Sequence, residues 1–482
     1  MSKFYQTTSI AYVNGAPHLG FALELIQADA VARWHRQKGD EVFFLTGTDE
    51  HGAKIVRAAE EAGIMVKDFI DQNAEKFRAL KEILNLSWDD FIRTSDQEKH
   101  WPNVVELWKK LEQAGDIYKK NYKGLYCVGH EAFVTEKDLI NGVCRDHNKK
   151  PEIIEEENYF FRLIKYGAQI KALIESNQIR IIPETRAHEI ISFIDRGLED
   201  ISFSRPRKDL QWGISVPGDD SQTIYVWADA LANYLYPIRQ RADLWPADIH
   251  FIGKDILRFH ALFWPAMLLS ANLPLPRSIF VHGHITVEGQ KMSKTLGNVI
   301  DPVELVKKYG VDAARYYLLR EITPTDDGDF SYKKFEERYN GDLANGLGNF
   351  AARALTLAEK ENVNFSENKI DETIINQINK TKRIIDEKME EYKFHEALAA
   401  LWELISFGDR YLNEKKPWSL ESAPAEGEAR QGQQDKEKII SDCIFILKNI
   451  AELLTPFLPE TSEKILKNIQ ENKKGEVLFS RI

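Results

Sequence analysis

The stretch Phe4-Tyr5-Gln6-Thr7-Thr8-Ser9-Ile10-Ala11-Tyr12-Val13-Asn14-Gly15-Ala16-Pro17-His18-Leu19-Gly20 decides the fold class. Phe4 to Ile10 reads as a strand, and Asn14, Gly15 and Pro17 make a turn. Leu19, Ala22, Ile26, Ala30 and Trp34 then recur at helical spacing. A strand feeding a helix N-terminus places unpaired N–H groups and the positive end of the helix dipole where phosphate binds. Gly20 would let a nucleotide lie close to the backbone, and His18 offers a donor to a phosphoryl oxygen. Alone, the stretch reads equally as an ordinary β–α turn with a solvent-exposed histidine.

The same pattern continues outward. Val42 to Thr46 reads as a strand, Lys54 to Ala62 as a helix and Phe91 to Thr94 as a strand. A helix carrying Val104, Val105, Leu107, Trp108 and Leu111 follows. Strands alternating with helices predict an α/β fold, a Rossmann-like doubly wound parallel sheet. The rhythm breaks near Gly115 and resumes at Thr223 to Trp227, His250 to Ile252 and Ser278 to Val281. The expected organisation is a first catalytic half at 1–115, a connective insertion at 116–217, a second half at 218–275 and a linking region at 276–335. A helical domain follows at 336–482, with apolar stripes at Phe394, Leu398, Leu401, Leu404 and Ile405 and at Ile440, Ile444, Leu447 and Leu454. Glu421 to Lys438 is polar and reads as a loop.

A chain of 482 residues exceeds one compact core, which agrees with several domains. Three cysteines exclude a disulfide framework and fit a reducing compartment. The absence of a leader pattern at the N-terminus, and of any apolar run of bilayer length, predicts a soluble cytoplasmic protein. A net charge of −11 argues against a uniformly basic surface but not against one basic face.

A second phosphate-directed segment, Lys291-Met292-Ser293-Lys294, follows the turn Glu288-Gly289-Gln290. Two lysines on a loop suit charge developing on a departing pyrophosphate, although most short Lys-rich segments are solvated surface. Together the two segments resemble the signature motifs of the class I aminoacyl-tRNA synthetases, H-I-G-H and K-M-S-K-S. The resemblance covers the whole chain and lies closest to the methionyl-tRNA synthetase family. It is carried further by Phe44 to Gly52, Asn158 to Leu163, Trp212-Gly213-Ile214 and Phe251 to Asp255. Phe21 stands where the class has its second histidine, and Thr295 keeps the hydroxyl of the final serine.

The resemblance implies methionine activation by ATP with Mg²⁺, then transfer to tRNA(Met). His18, Lys291 and Lys294 would stabilise the transition state, with Pro17, Gly20, Phe21 and Ser293 completing the ATP site. Methionine would be held by Ile10, Tyr12, Asp49, Trp227, Ala230, Tyr234 and His260. Asp49 suits an ammonium group, aromatic walls suit a thioether, and a Tyr234 hydroxyl aimed at sulfur would exclude leucine and isoleucine. Without the resemblance, Trp227 and Tyr234 read as core residues on one helix face. Asn349, Arg353, Pro417 and Trp418 match the family's anticodon contacts, Trp418 as a stacking platform. The helical pattern ends shortly before Ile482, with no appended module in view, so a monomer is expected.

Cys127-x-x-His130 and Cys144-x-x-His147 form two paired-ligand units that suit one structural Zn²⁺. Family members often have four cysteines here. Leucine, isoleucine and valine enzymes carry larger insertions with an editing site; none is expected here. A class I enzyme for another amino acid, and a weakly catalytic tRNA-binding paralogue, are the alternative readings.

Overall fold

The computed structural model describes residues 2–128, 132–134, 136, 139–145, 148–239, 241–292, 297–363, 370–420 and 426–482. The chain divides into two compact units. The first comprises Met1–Pro17, Gly39–Lys81 and Ser87–His282; the second comprises His18–Lys38, Glu82–Leu86 and Gly283–Ile482.

The first unit is built on a seven-stranded sheet in which every pairing is parallel. Across the sheet the strands run Asp90–Arg93, Glu41–Asp49, Lys3–Thr8, Ile249–Gly253, Ser278–His282 and Arg180–Ile182. Ala11–Tyr12 pairs with the far end of Glu41–Asp49, on the same side as Lys3–Thr8. All five residues of Ile249–Gly253 are buried, as are the last six of Glu41–Asp49, the pattern of strands covered on both faces. Strand order reverses between Lys3–Thr8 and Ile249–Gly253, which register Thr7 against His250. In doubly wound sheets the carboxyl ends beside such a reversal border the ligand crevice. Here those ends are Thr8, Asp49 and Gly253.

Two expectations need correction. Thr223 to Trp227 does not rejoin the parallel sheet: Asp219–Ile224 pairs antiparallel with Ser204–Pro206 and Ser215–Val216, and Val226–Leu231 is a helix. The apolar run was genuine, but a run alone does not name its partner strand. Conversely, Arg180–Ile182, inside the supposed insertion, is an edge strand of the parallel sheet, paired with Ser278–His282. The other strands of that segment pair antiparallel, with Ile117–Cys127 paired along its length to Glu152–Phe161. Two helices, Gly167–Glu175 and Glu184–Asp195, lie between them in sequence.

In the second unit, Leu19–Gln37 is a helix with thirteen buried residues. Its Asp29 is fully buried and pairs with Arg33 at 2.8 Å and Arg315 at 2.7 Å. Arg315 also donates to the carbonyls of Leu84, Pro456 and Phe457 at 2.8–3.1 Å, so a buried guanidinium is saturated by one charge and backbone oxygens. Trp34 Nε1 donates to Asp386 at 2.9 Å, which fastens the same helix to Glu372–Glu390.

The helical part contains Asn349–Lys360, Glu372–Glu390, Phe394–Lys415, Glu426–Leu454 and Pro459–Glu471. Both predicted stripes are at most 3% exposed. A side chain at Gly408 would meet Phe350 Cζ at 2.5 Å, so glycine is what lets these two helices approach. Most of Glu421 to Lys438, read as a loop, is helix from Glu426 onward: the packed face of Ile439 to Leu454 carries the helix back through Gly432 and Gly427, whose low propensity the tertiary packing overrides. Residues 421–425 lie outside the described residues. Among the described residues no helix is long and apolar enough to cross a membrane.

Candidate functional site

Three of the expected methionine-pocket residues meet through their rings in the first unit. Tyr234 and His260 are each 1% exposed, and the Tyr234 hydroxyl lies 2.8 Å from His260 Nε2. His260 Nδ1 lies 3.0 Å from the carbonyl of Ile256, which can only accept. Nδ1 therefore carries the ring hydrogen, Nε2 accepts, and the Tyr234 hydroxyl donates to it. Burial pulls the His260 pKa down to about 4, which keeps the ring neutral and this pattern intact at neutral pH. Half-buried Trp227 stacks on Phe259 with centroids 3.6 Å apart and planes 6° apart, and its ring stands edge-on to His260 at 6.4 Å. The Val226–Leu231 helix ends before Tyr234, which sits on the 3-10 segment Ala232–Arg239, so the two rings do not share one α-helical face.

Ala230, 3% exposed, lies on the same short helix as Trp227. Ile10 packs against the cluster around Tyr5, Leu45 and Tyr236, and Tyr12 against the larger core cluster. Asp49 ends its strand 8% exposed, with the His51 N–H and the Thr94 hydroxyl each 3.4 Å from Oδ1. Neighbouring Glu50 accepts from Thr48 at 2.6 Å and from Arg93 at 2.7 Å. A cavity of about 530 Å³, whose lining includes Gly52, Arg57, Arg205, Tyr225 and Val226, adjoins both the Asp49 segment and the Trp227 helix.

The phosphate-directed segments are close in the second unit. His18 is the N-cap of Leu19–Gln37, and its Nδ1 accepts from the Gly20 N–H at 3.1 Å. A neutral His18 ring then carries its hydrogen on Nε2, the side away from the cap. A Cβ on Gly20 would sit 3.0 Å from the His18 ring and crowd it against the cap, while the Met292 methyl, 3.9 Å away, is at ordinary contact distance. Phe21 is half-buried, and its N–H donates to the His18 carbonyl at 3.0 Å. Lys291 is exposed on a hairpin turned by Glu288 and Gly289, both at positive φ. Asp329 pins that turn, accepting from the Gly289 N–H at 2.7 Å. Pro17 is buried at the end of the first unit's opening segment. Ser293 and Lys294 lie outside the described residues.

Asn349 and Arg353 share a face of Asn349–Lys360. Arg353 donates to Asp409 at 2.7 Å and Asn413 at 2.6 Å, with its guanidinium carbon 5.5 Å from the Trp418 ring centroid. Pro417 is buried, whereas Trp418 is 45% exposed. Cys127 and Cys144 are buried and form no disulfide. His130 and His147 lie outside the described residues, and among the described residues no group of three candidate ligands stands ready for a metal.

The sequence reading missed Phe259 and a buried trio, His51, His100 and Asp229. Phe259 adjoins His260, an aromatic signal at hand; the trio is spread over 51, 100 and 229, and spacing carries no sign of it.

Residues 4–144 and 134–355 match the family model described as tRNA synthetases class I (M). Residues 371–481 match an anticodon-binding domain of tRNA ligases. A methionine–tRNA ligase of Brucella suis is 42% identical over 96% of this chain and 91% of its own length. One from Thermotoga maritima is 40% identical over 98% and 76%. The methionyl-tRNA synthetase of Mycobacterium tuberculosis in complex with methionyl-adenylate superimposes with a TM-score of 0.90, at 39% identity, covering 97% of this chain and 93% of that one.

Proposed function

Because the chain belongs to the methionyl-tRNA synthetases of class I, and is an ATP-dependent methionine–tRNA ligase, we propose a division of labour among its residues. The methionine carboxylate attacks the α-phosphorus of ATP in line. The bond to the β-phosphate breaks and pyrophosphate leaves. A terminal ribose hydroxyl of the tRNA then attacks the adenylate carbonyl, and AMP leaves. No protein nucleophile is required, so catalysis is positioning plus electrostatic stabilisation. Mg²⁺ neutralises triphosphate charge when bound with ATP.

Methionine is held by Ile10, Tyr12, Asp49, Trp227, Ala230, Tyr234 and His260. Asp49 pairs with its ammonium group and the aromatic residues pack its thioether. The observation that supports this pocket most is the Tyr234 hydroxyl committed to a neutral His260 in a buried setting. The hydroxyl hydrogen is therefore not the feature offered to sulfur. A fixed, uncharged polar pair set among rings accepts a polarizable thioether and leaves a branched alkyl chain poorly packed. On the nucleotide side, His18 Nε2, Lys291 and Lys294 act on the phosphates, while Pro17, Gly20, Phe21 and Ser293 shape the site. Trp418 stacks an unpaired anticodon base, with Asn349, Arg353 and Pro417 beside it. Supporting this, Trp418 is 45% exposed, whereas the apolar stripes of the same bundle are buried.

Structural zinc belongs to the same proposal. Cys127, His130, Cys144 and His147 would close a tetrahedron, and the buried, unbridged thiols fit that donor set. Metal analysis should return one zinc per chain, and its removal should lower the melting temperature.

Amino-acid-dependent pyrophosphate exchange tests the function. Methionine should support exchange and leucine should not; the reverse would overturn the assignment. Lys294→Ala should raise the activation barrier by about 3–4 kcal/mol, the scale of one lost oxyanion-type contact. Unchanged exchange kinetics would remove Lys294 from the mechanism.

A further inference from the structure

Three buried ionisable side chains meet in the first unit and take no part in the chemistry above. Asp229, 1% exposed, lies on Val226–Leu231, the helix that also carries Trp227 and Ala230. Its Oδ2 is 2.6 Å from His51 Nδ1 and its Oδ1 is 2.6 Å from His100 Nε2. Both histidines are at most 3% exposed. Burial pushes the Asp229 pKa up, but attraction and hydrogen bonds from the two histidines outweigh it and hold the value at about 2. At neutral pH the group is thus a carboxylate that accepts from both rings.

His51 follows Asp49 by two residues, and its backbone N–H points at Asp49 Oδ1. The cluster therefore links the segment that places Asp49 to the helix that places Trp227 and Ala230. His100, at the start of Trp101–Gln113, fixes the second carboxylate oxygen and so the rotation of the group. A buried charge is costly unless paired, and an apolar residue of similar size would pack this helix as well. A carboxylate is needed only if both rings must be held at once.

We propose that Asp229 is a positioning residue for methionine: through His51 it sets Asp49 against Trp227 and Ala230, with His100 as the brace. This rests on the methionine-site reading above. An asparagine at 229 could accept from one ring only and would present its amide hydrogens to the other.

The test is methionine-dependent pyrophosphate exchange with melting temperatures measured in parallel. Asp229→Asn should raise the KM for methionine about tenfold or more and leave the KM for ATP within about twofold, the pattern of lost binding on one substrate. Paired substitutions keep the test decisive if that variant folds poorly. An asparagine amide overlays imidazole Nδ1, and a glutamine amide overlays Nε2. His51→Asn should therefore outperform His51→Gln, whereas His100→Gln should outperform His100→Asn. Equal rises in both KM values that follow the loss of melting temperature would overturn the proposal, as would indistinguishable pairs at both positions. If the unsubstituted protein showed no methionine-dependent exchange, the methionine-site reading itself would fail and take this proposal with it.

Discussion

The Tyr234–His260 pocket and the Arg353–Trp418 patch use similar side chains in opposite ways. In the first, tyrosine and histidine are both 1% exposed, and their hydrogens are assigned to fixed partners. In the second, a tryptophan is left 45% exposed beside an arginine anchored by Asp409 and Asn413. On the proposed assignment, a small ligand meets buried rings whose polar tips already have partners, so that misfit is costly. A single-stranded nucleic acid brings its own rings, so the protein leaves a ring uncovered and holds a cation near it. On the proposed assignment, the contrast teaches that exposure of one aromatic, not composition, distinguishes the two kinds of recognition.

Acid probes that contrast most strongly. His260 has its pKa lowered to about 4 in the folded chain, against an ordinary value of 6.5. Between those values the unfolded chain binds more protons, so stability is complete above pH 6.5 and falls as pH drops towards 4. The loss should be on the order of 3 kcal/mol, measurable as the pH dependence of urea unfolding. His260→Asn should remove about one proton from that slope; an unchanged slope would mean the ring is not held neutral by burial.

The exposed region should respond to substitution rather than to acid. Trp418→Ala should cost about 2 kcal/mol in kcat/KM for tRNA charging, the scale of one lost base stack. Smaller still is Asp409→Asn, which keeps a hydrogen-bond acceptor for Arg353 but loses the charge. It should cost about 1 kcal/mol or less in charging, with melting temperature nearly constant, because this pair is about one-third exposed. A large loss of stability instead would make the patch structural and erase the distinction between the two regions.

Much of this was legible in the sequence, and what was missed has physical reasons. Lys3–Thr8 buries Gln6, Thr7 and Thr8 and is betrayed mainly by the turn that follows it, whereas central strands covered on both faces read as apolar runs in Val42 to Leu45, Ile249–Gly253 and Ser278–His282. Arg180–Ile182 does not, because three residues at a sheet edge carry no period. Thr223 misled because a strand's composition does not say whether its partner runs parallel. The helix Val66–Ile83 carries a readable stripe in Ile70, Ala74, Phe77 and Leu80. Within the site, Trp227, Tyr234 and His260 fall on a recognisable family pattern, and the structure brings their rings together. The tautomer of His260 was not legible, since it depends on the Ile256 carbonyl one helical turn away. Nor was the role of Gly20, which is set by the His18 ring folding back over its own N-cap.

The most direct test of the separation between the two regions is to measure exchange and charging on the same Trp418→Ala preparation. Methionine-dependent pyrophosphate exchange should proceed at the unsubstituted rate while tRNA charging falls by roughly thirtyfold, the ratio expected for about 2 kcal/mol. If exchange falls in parallel with charging, the exposed tryptophan supports the fold or the activation step, and its assignment to tRNA is contradicted.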